Sequence, residues 1–358
     1  MVTFSTLRYA ALLPALLLAA CGTTDSPTAV TGSTPLPTGS PAGGTPAASN
    51  TPSKPLTKIT VAMGYIANVQ FAPYYLAEDR GYYAAEGLAV EFKYGQVNDL
   101  LKVVAEGGLD YANVSGDEMV PAVAQGIPVR YVMTGYYRYP VALATITGSG
   151  PAIAAPADLK GHTVGVPGPY GSNYIGLKAL LKAGQLTEKD ITLQSINFTQ
   201  VSALINRQVD AAMVYSMNEP IQIQLAGKTV SLLQVADYAD LAAVGIATGN
   251  KKIAAQPDQV RAFVRATLKG TADTLTDPDA AFAASLRRTP ELAVADQPIQ
   301  RAVLTATLPF FTPPAGRVPG SSDAHTWATT EAFLREIGLS PQPIDPTTLY
   351  SNEFLPQP

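Results

Sequence analysis

Leu101-Lys102-Val103-Val104-Ala105-Glu106-Gly107-Gly108-Leu109-Asp110-Tyr111-Ala112-Asn113-Val114 reads as a helix, a glycine turn, an aspartate and a short buried strand. About a hundred residues later, Val201-Ser202-Ala203-Leu204-Ile205-Asn206-Arg207-Gln208-Val209-Asp210-Ala211-Ala212-Met213-Val214 repeats the same order. A second echo joins Thr60-Val61-Ala62-Met63-Gly64 to Thr163-Val164-Gly165-Val166-Pro167-Gly168. Two lobes of related topology are the simple explanation.

Outward from these repeats, short β-rich runs alternate with helical patterns, which predicts an α/β architecture with largely parallel sheets. Lys58–Met63, Leu88–Tyr94, Tyr111–Val114 and Val129–Thr134 read as strands of the first lobe. Asn98 and Asp99 are expected to cap an apolar helix from Leu100 to Ala105. Val141–Thr147 and Ala243–Thr248 read as strands that cross between lobes, giving a first lobe of 57–143 plus 247–358 and a second of 144–246. The helices expected over Pro257–Thr274 and Asp323–Ile337 return to pack on the first lobe.

The N-terminal residues have another character. An apolar run from Tyr9 to Ala20 is too short to span a bilayer and suits a signal-peptide core over residues 1–20. It ends in Leu18-Ala19-Ala20-Cys21, which resembles the lipobox of bacterial lipoproteins, where the cysteine is lipidated; an ordinary secretory signal is the alternative. Residues 21–56 are dominated by Thr, Pro, Ser, Gly and Ala, a composition that stays extended and suits a tether. Either way, the folded body is expected on the extracytoplasmic face, held at the cell membrane if the lipid anchor is present.

Composition narrows the chemistry of the body. Cys21 is the single cysteine of 358 residues, so the body offers no disulfide, thiolate metal site or cysteine nucleophile. A net charge of −4 gives no footprint for nucleic acid. His162 and His325 are the two histidines and neither sits in a catalytic motif. There is no nucleophile elbow, Walker loop or His-Glu-x-x-His helix. The body is thus expected to use no cofactor, metal or catalytic group, and to act as a monomer.

What the strand ends carry instead is aromatic and amide side chains. Gly64–Phe71, Ser115–Glu118, Thr134–Pro140, Pro169–Tyr174 and Tyr215–Pro220 each follow a strand, where open α/β sheets bind ligands. Tyr65, Tyr136, Tyr137, Tyr170 and Tyr215 are the expected stacking surfaces. Asn68, Gln70, Asp117, Asn173, Asn218 and Glu219 would read polar edges. Backbone amides of the helix after Gly171 would receive an anionic or carbonyl group. The inventory suits a flat heteroaromatic of little charge. A pyrimidine-acting secreted enzyme would need a general base, for which Asp117 and Glu219 are the candidates.

Taken together, Gly64-Tyr65-Ile66-Ala67-Asn68-Val69-Gln70-Phe71-Ala72-Pro73-Tyr74-Tyr75-Leu76-Ala77 and Gly81-Tyr82-Tyr83-x-x-Glu86-Gly87-Leu88 resemble the NMT1/THI5-like substrate-binding proteins of ABC importers. Gly116-Asp117-Glu118, Gln125-Gly126-Ile127-Pro128-Val129, Asp158-Leu159-Lys160-Gly161 and Asp210-Ala211-Ala212 extend the likeness over nearly all of the body. The resemblance implies a type II periplasmic-binding fold, two α/β lobes closing about a two-strand hinge, with permease and ATPase subunits as partners. Asn218-Glu219-Pro220-Ile221-Gln222 and Tyr131-Val132-Met133-Thr134-x-Tyr136 look most like the vitamin-type branch, which implies riboflavin or a thiamine pyrimidine precursor as ligand. The cysteine-rich motif of the family's precursor synthases is missing, and Gln70 stands nearest the place of their histidine.

Overall fold

In the computed structural model, residues 55–95, 99–148, 152–290 and 296–357 are described. The expected signal segment, Cys21, nearly all of the tether and Asn98 lie outside them. Two five-stranded sheets organise the body. The first holds β1 (Thr57–Ala62), β2 (Leu88–Lys93), β3 (Tyr111–Ser115), β4 (Val129–Thr134) and β10 (Val244–Gly249), in the spatial order β2-β1-β3-β10-β4. The second holds β5 (Val141–Ile146), β6 (Thr163–Val166), β7 (Thr192–Ser195), β8 (Ala211–Tyr215) and β9 (Val230–Gln234), in the order β7-β6-β8-β5-β9. Central strands β3, β5 and β10 are buried along their whole length; β5 and β10 are mostly small and apolar, and the Asn113 amide of β3 donates to the Tyr74 hydroxyl at 2.8 Å.

The sequence echoes map onto equivalent strands. Val61 lies opposite Tyr111 and Ala62 opposite Ala112 in the first sheet, while Val164 lies opposite Ala211 and Gly165 opposite Ala212 in the second. The repeated aspartate has one job in both places. Asp110 Oδ2 accepts from Thr60 N at 2.8 Å, and Asp210 Oδ2 accepts from Thr163 N at 2.8 Å. Each carboxylate thereby pairs a backbone donor where a strand enters its sheet.

The sheets are mixed rather than largely parallel. β1 is parallel to β2 and β3, and β6 to β7 and β8, but β10 and β5 run antiparallel to both of their neighbours. Connectivity gives the reason. β5 follows directly from β4 of the other sheet through residues 135–140, and β10 follows β9 through residues 235–243. Arriving from the opposite lobe, each starts where its new neighbours end: Val244 sits opposite Ser115 and Val141 opposite Tyr215. The crossings therefore precede the strands expected to make them, and each of those strands belongs wholly to one sheet.

Helices cover both sheets. Pro257–Thr276, begun by a proline at its first position, lies against Ala72–Asp79. A Cβ on Gly270 would stand 2.3 Å from the Pro73 carbonyl oxygen, so only glycine admits this approach. Tyr111 and Tyr83 stack on Phe263 beneath it, at centroid distances of 4.1 and 5.6 Å. Ala324–Glu336 is capped by Asp323, which accepts from Thr326 N, and packs on Gly116–Ala124. Gln297–Phe311 reaches further than expected and also touches Glu219–Leu225 of the second lobe. Asp99 precedes Leu100–Glu106 in a left-handed conformation, φ 63°, and makes no side-chain cap.

Candidate ligand-binding cleft

The carboxyl ends of β1, β3 and β4 face those of β6 and β8 across a cleft of about 600 Å³. Such a volume is typical of small-molecule sites, roughly 300–1,000 Å³. Tyr65, Gln70, Tyr136, Tyr170, Asn173, Tyr215, Asn218 and Glu219 all line it, as the strand-end argument expects.

From the first lobe, the turn after β1 presents Tyr65 and Gln70. Gly64 opens this turn at φ +65°, close under the Asn113 carbonyl oxygen. Tyr136 comes from the crossing that leads to β5, and its ring is wedged against Phe310 and Phe311 at 5.7 and 5.3 Å. From the second lobe come Tyr170, Asn173, Tyr215, Asn218 and Glu219. A side-chain atom added at Gly168 would strike the Tyr170 ring at 2.3 Å, so that glycine lets the ring lie down over the backbone.

Three expected residues stand elsewhere. Asn68 is buried, its Oδ1 accepting from Gln70 N at 3.0 Å, because it caps the turn; it borders a separate crevice behind Tyr65. Tyr137 turns away, its hydroxyl accepting from Gly320 N at 2.5 Å with Arg317 over its ring. Asp117 lies fully buried behind the wall, accepting from the Tyr139 hydroxyl and from Ser172 Oγ at 3.3 Å. Adjacent residues point their side chains in different directions, as Tyr136 and Tyr137 or Glu118 and Asp117 do, and sequence alone does not fix which neighbour faces inward.

Phe71, Asn113, Ser115, Glu118, Phe198 and Gln200 also line the cleft and were not among the expected residues. Phe71, Ser115 and Glu118 fell inside the quoted strand-end segments, so their position was a usable signal. Phe198 and Gln200 follow β7, a strand-end segment that carries no tyrosine to mark it. Phe198 meets Tyr65 edge to face across the lobes, at 4.8 Å.

Hydrogen bonds bridge the cleft as well. Asn218 Nδ2 donates to the Tyr65 hydroxyl at 3.4 Å and to Glu219 Oε1 at 3.3 Å, while Gln222 Nε2 donates to Asn218 Oδ1 at 2.9 Å. Glu219 Oε2 also accepts from Tyr215 N at 2.9 Å. Burial outweighs these bonds and pushes the Glu219 carboxyl up to about 7. Glu118 Oε1 accepts from Ser172 N at 3.2 Å and Ser172 Oγ at 3.3 Å, so a first-lobe carboxylate docks on the start of the Gly171–Ala183 helix. Burial raises both Asp117 and Glu118, and the Asp117 charge raises Glu118 further. The helix start expected to receive a ligand anion is thus met by the protein's own Glu118.

The arrangement suits holding a ligand. Aromatic faces stand on both lobes, amides and carboxylates supply the edges, and Asn173 Oδ1 is a buried acceptor without a hydrogen-bond partner. His162 stands 3.4 Å from Asp210 near the entrance of β6, and neither histidine lines the cleft. Among the described residues, no cluster of His, Cys, Asp and Glu could hold a metal, and no helix is long and apolar enough to cross a membrane.

Comparison with known proteins agrees with this fold. The NMT1/THI5-like family profile matches residues 68–281. The riboflavin-binding protein RibY of Chloroflexus aurantiacus is 43% identical over 90% of this chain and 93% of its own length. The 4-amino-5-hydroxymethyl-2-methylpyrimidine phosphate synthase of Legionella pneumophila is 25% identical over 84% of this chain and 93% of its own. In three dimensions, the periplasmic aliphatic sulphonate-binding protein SsuA of Escherichia coli superposes with a TM-score of 0.63, at 16% identity, covering 82% of this chain and 91% of that one. The fold is the type II periplasmic-binding architecture, two α/β lobes joined by two crossings.

Proposed function

The chain belongs to the NMT1/THI5-like family, and we propose that it is the extracytoplasmic receptor of an ABC importer, which closes on riboflavin and delivers it to a permease. One observation carries this reading: a single cleft is walled by tyrosines from both lobes and edged by amides and carboxylates. Flat rings take up aromatic walls at little entropic cost. A cleft of about 600 Å³ has room for a three-ring system with a polyol chain, whereas a lone pyrimidine would leave much of it empty. The riboflavin-binding relative at 43% identity supports the same ligand.

In this reading, closure is the functional step. Contacts that exist only with both lobes in place, such as Asn218 to Tyr65, favour the closed state, and ligand adds to them. No chemistry on the ligand is included. The candidate base Asp117 is enclosed behind the wall by Tyr139 and Ser172, and Glu219 is fixed by its own lobe. The lipid anchor at Cys21, the tether and a monomeric state complete the proposal.

Purified protein tests it without added ligand. The expected result is a yellow preparation whose visible spectrum and released mass are those of riboflavin. A colourless protein that releases a pyrimidine would favour the second reading, a thiamine-type pyrimidine ligand, which the synthase relative motivates. Turnover of that pyrimidine would overturn the receptor role altogether.

A further inference from the structure

We propose that the cleft selects the uncharged, unphosphorylated form of its ligand, and that Glu118 enforces this by occupying the seat a ligand phosphate would take. The inference rests on the receptor reading above and names the chemical class that site accepts.

The start of a helix behind a glycine turn is a ready anion site, because its backbone N–H groups are unpaired and the dipole favours negative charge. The Gly171–Ala183 helix opens on the cleft in this way, with Gly171 at φ +69°. Yet Ser172 N and Oγ both donate to Glu118 Oε1, at 3.2 and 3.3 Å. A Cβ at Gly171 would itself come within 3.2 Å of that oxygen. The carboxylate is delivered from the other lobe by the Gly116–Ala124 helix and lines the cleft. An incoming phosphate would have to displace it.

Charge around the seat points the same way. Asp117 lies directly behind, held by Tyr139 and Ser172, so an anion meets a pair of carboxyl groups. Glu219 belongs to the same lining. Among the described residues of that lining, Lys102 is the cation, exposed at the rim with Asp99 beside the same helix start. Arg138 is turned to Asp237, at 3.6 Å, and does not line the cleft. Finally, Asn173 Oδ1, next to Ser172, is a buried acceptor without a partner. The unmet demand at this end of the cleft is for a ligand N–H or O–H, and a phosphate oxygen does not meet it.

The test titrates the full chain at pH 9, where the Glu118 carboxyl is ionised despite the burial and the Asp117 charge that raise it, with riboflavin and with riboflavin 5′-phosphate, following quenching of flavin fluorescence. Like charges brought together at a desolvated site disfavour binding strongly, so the phosphate ester is expected to bind at least about 100-fold more weakly. Glu118→Gln should narrow that ratio about tenfold or more, whereas Glu353→Gln, an exposed carboxylate away from the cleft, should leave it unchanged. Equal binding of the two flavins by the unmodified protein would overturn the proposal, whatever the stability of the variant. So would a well-folded Glu118→Gln with an unaltered ratio. If neither flavin binds, the ligand reading fails separately, and hydroxymethylpyrimidine against its phosphate puts the same question to the cleft.

Discussion

The two lobes share a backbone plan and differ at their cleft edges. Strand order, register and the strand-entry aspartate are the same in both, down to the 2.8 Å bonds from Thr60 N to Asp110 and from Thr163 N to Asp210. At the cleft, however, the first lobe offers the carboxylate Glu118 from a helix start, and the second offers the donors of Ser172 that receive it. Backbone needs are alike in any such sheet, so they keep alike solutions. Strand-end side chains are released from that duty, and there the halves become complementary partners.

The comparison is sharpened most by Glu219, which follows β8 and is held by Tyr215 N and Asn218 of its own lobe, whereas Glu118 after β3 bridges to the other lobe. The Glu219 carboxyl titrates near 4.5 when unfolded and is pushed up to about 7 by burial. Stability from this group is therefore fully present below pH 4.5 and is lost as pH rises through 7, by about 3 kcal/mol in total. Glu219→Gln should remove that slope, so urea denaturation at pH 5 and pH 8 should show the variant gaining relative to the parent protein at the higher pH. An unchanged slope would mean that Glu219 is solvated.

Next come the aromatic walls. Tyr136→Ala and Tyr215→Ala should each weaken riboflavin binding by about 1–3 kcal/mol, as loss of a stacking face does. Tyr137→Ala, whose hydroxyl serves Gly320 N outside the cleft, should leave affinity in place and lower the melting temperature. Calorimetric titration and thermal melts separate the two outcomes, and a Tyr137 variant with lost affinity would break the assignment.

The smallest effect tests the shared plan itself. Asp110 also receives Thr60 Oγ1 and Lys252 Nζ, at 3.2 and 2.7 Å, while Asp210 has only the more distant His162 beside its backbone bond. Asp110→Ala should cost about 2 kcal/mol and Asp210→Ala about 1 kcal/mol of unfolding free energy. Equal costs would show that the side-chain partners contribute nothing.

Much of this architecture was legible in the residues. The helix-turn-Asp-strand echo located equivalent central strands because burial and pairing impose the same pattern twice. Strand-end clusters pointed to the cleft for the same reason. What escaped was direction and origin. Asn68 and Tyr137 sit in segments that reach the cleft, but capping and tertiary hydrogen bonds turn them aside. Strands β5 and β10 read as the crossings themselves, whereas the segments before them cross, and periodicity carries no sign of the antiparallel direction that results. The seat at Ser172 was legible as an anion site, whereas its internal occupant came from the other lobe, across a separation no local pattern encodes.

A crystal structure of the protein grown with riboflavin would probe the receptor reading at its root. The account predicts the isoalloxazine ring held between Tyr65 or Tyr136 on one side and Tyr170 or Tyr215 on the other, with a ring N–H or hydroxyl donating to Asn173 Oδ1. Flavin bound outside that cleft, or a cleft that stays empty at saturating flavin, would contradict it.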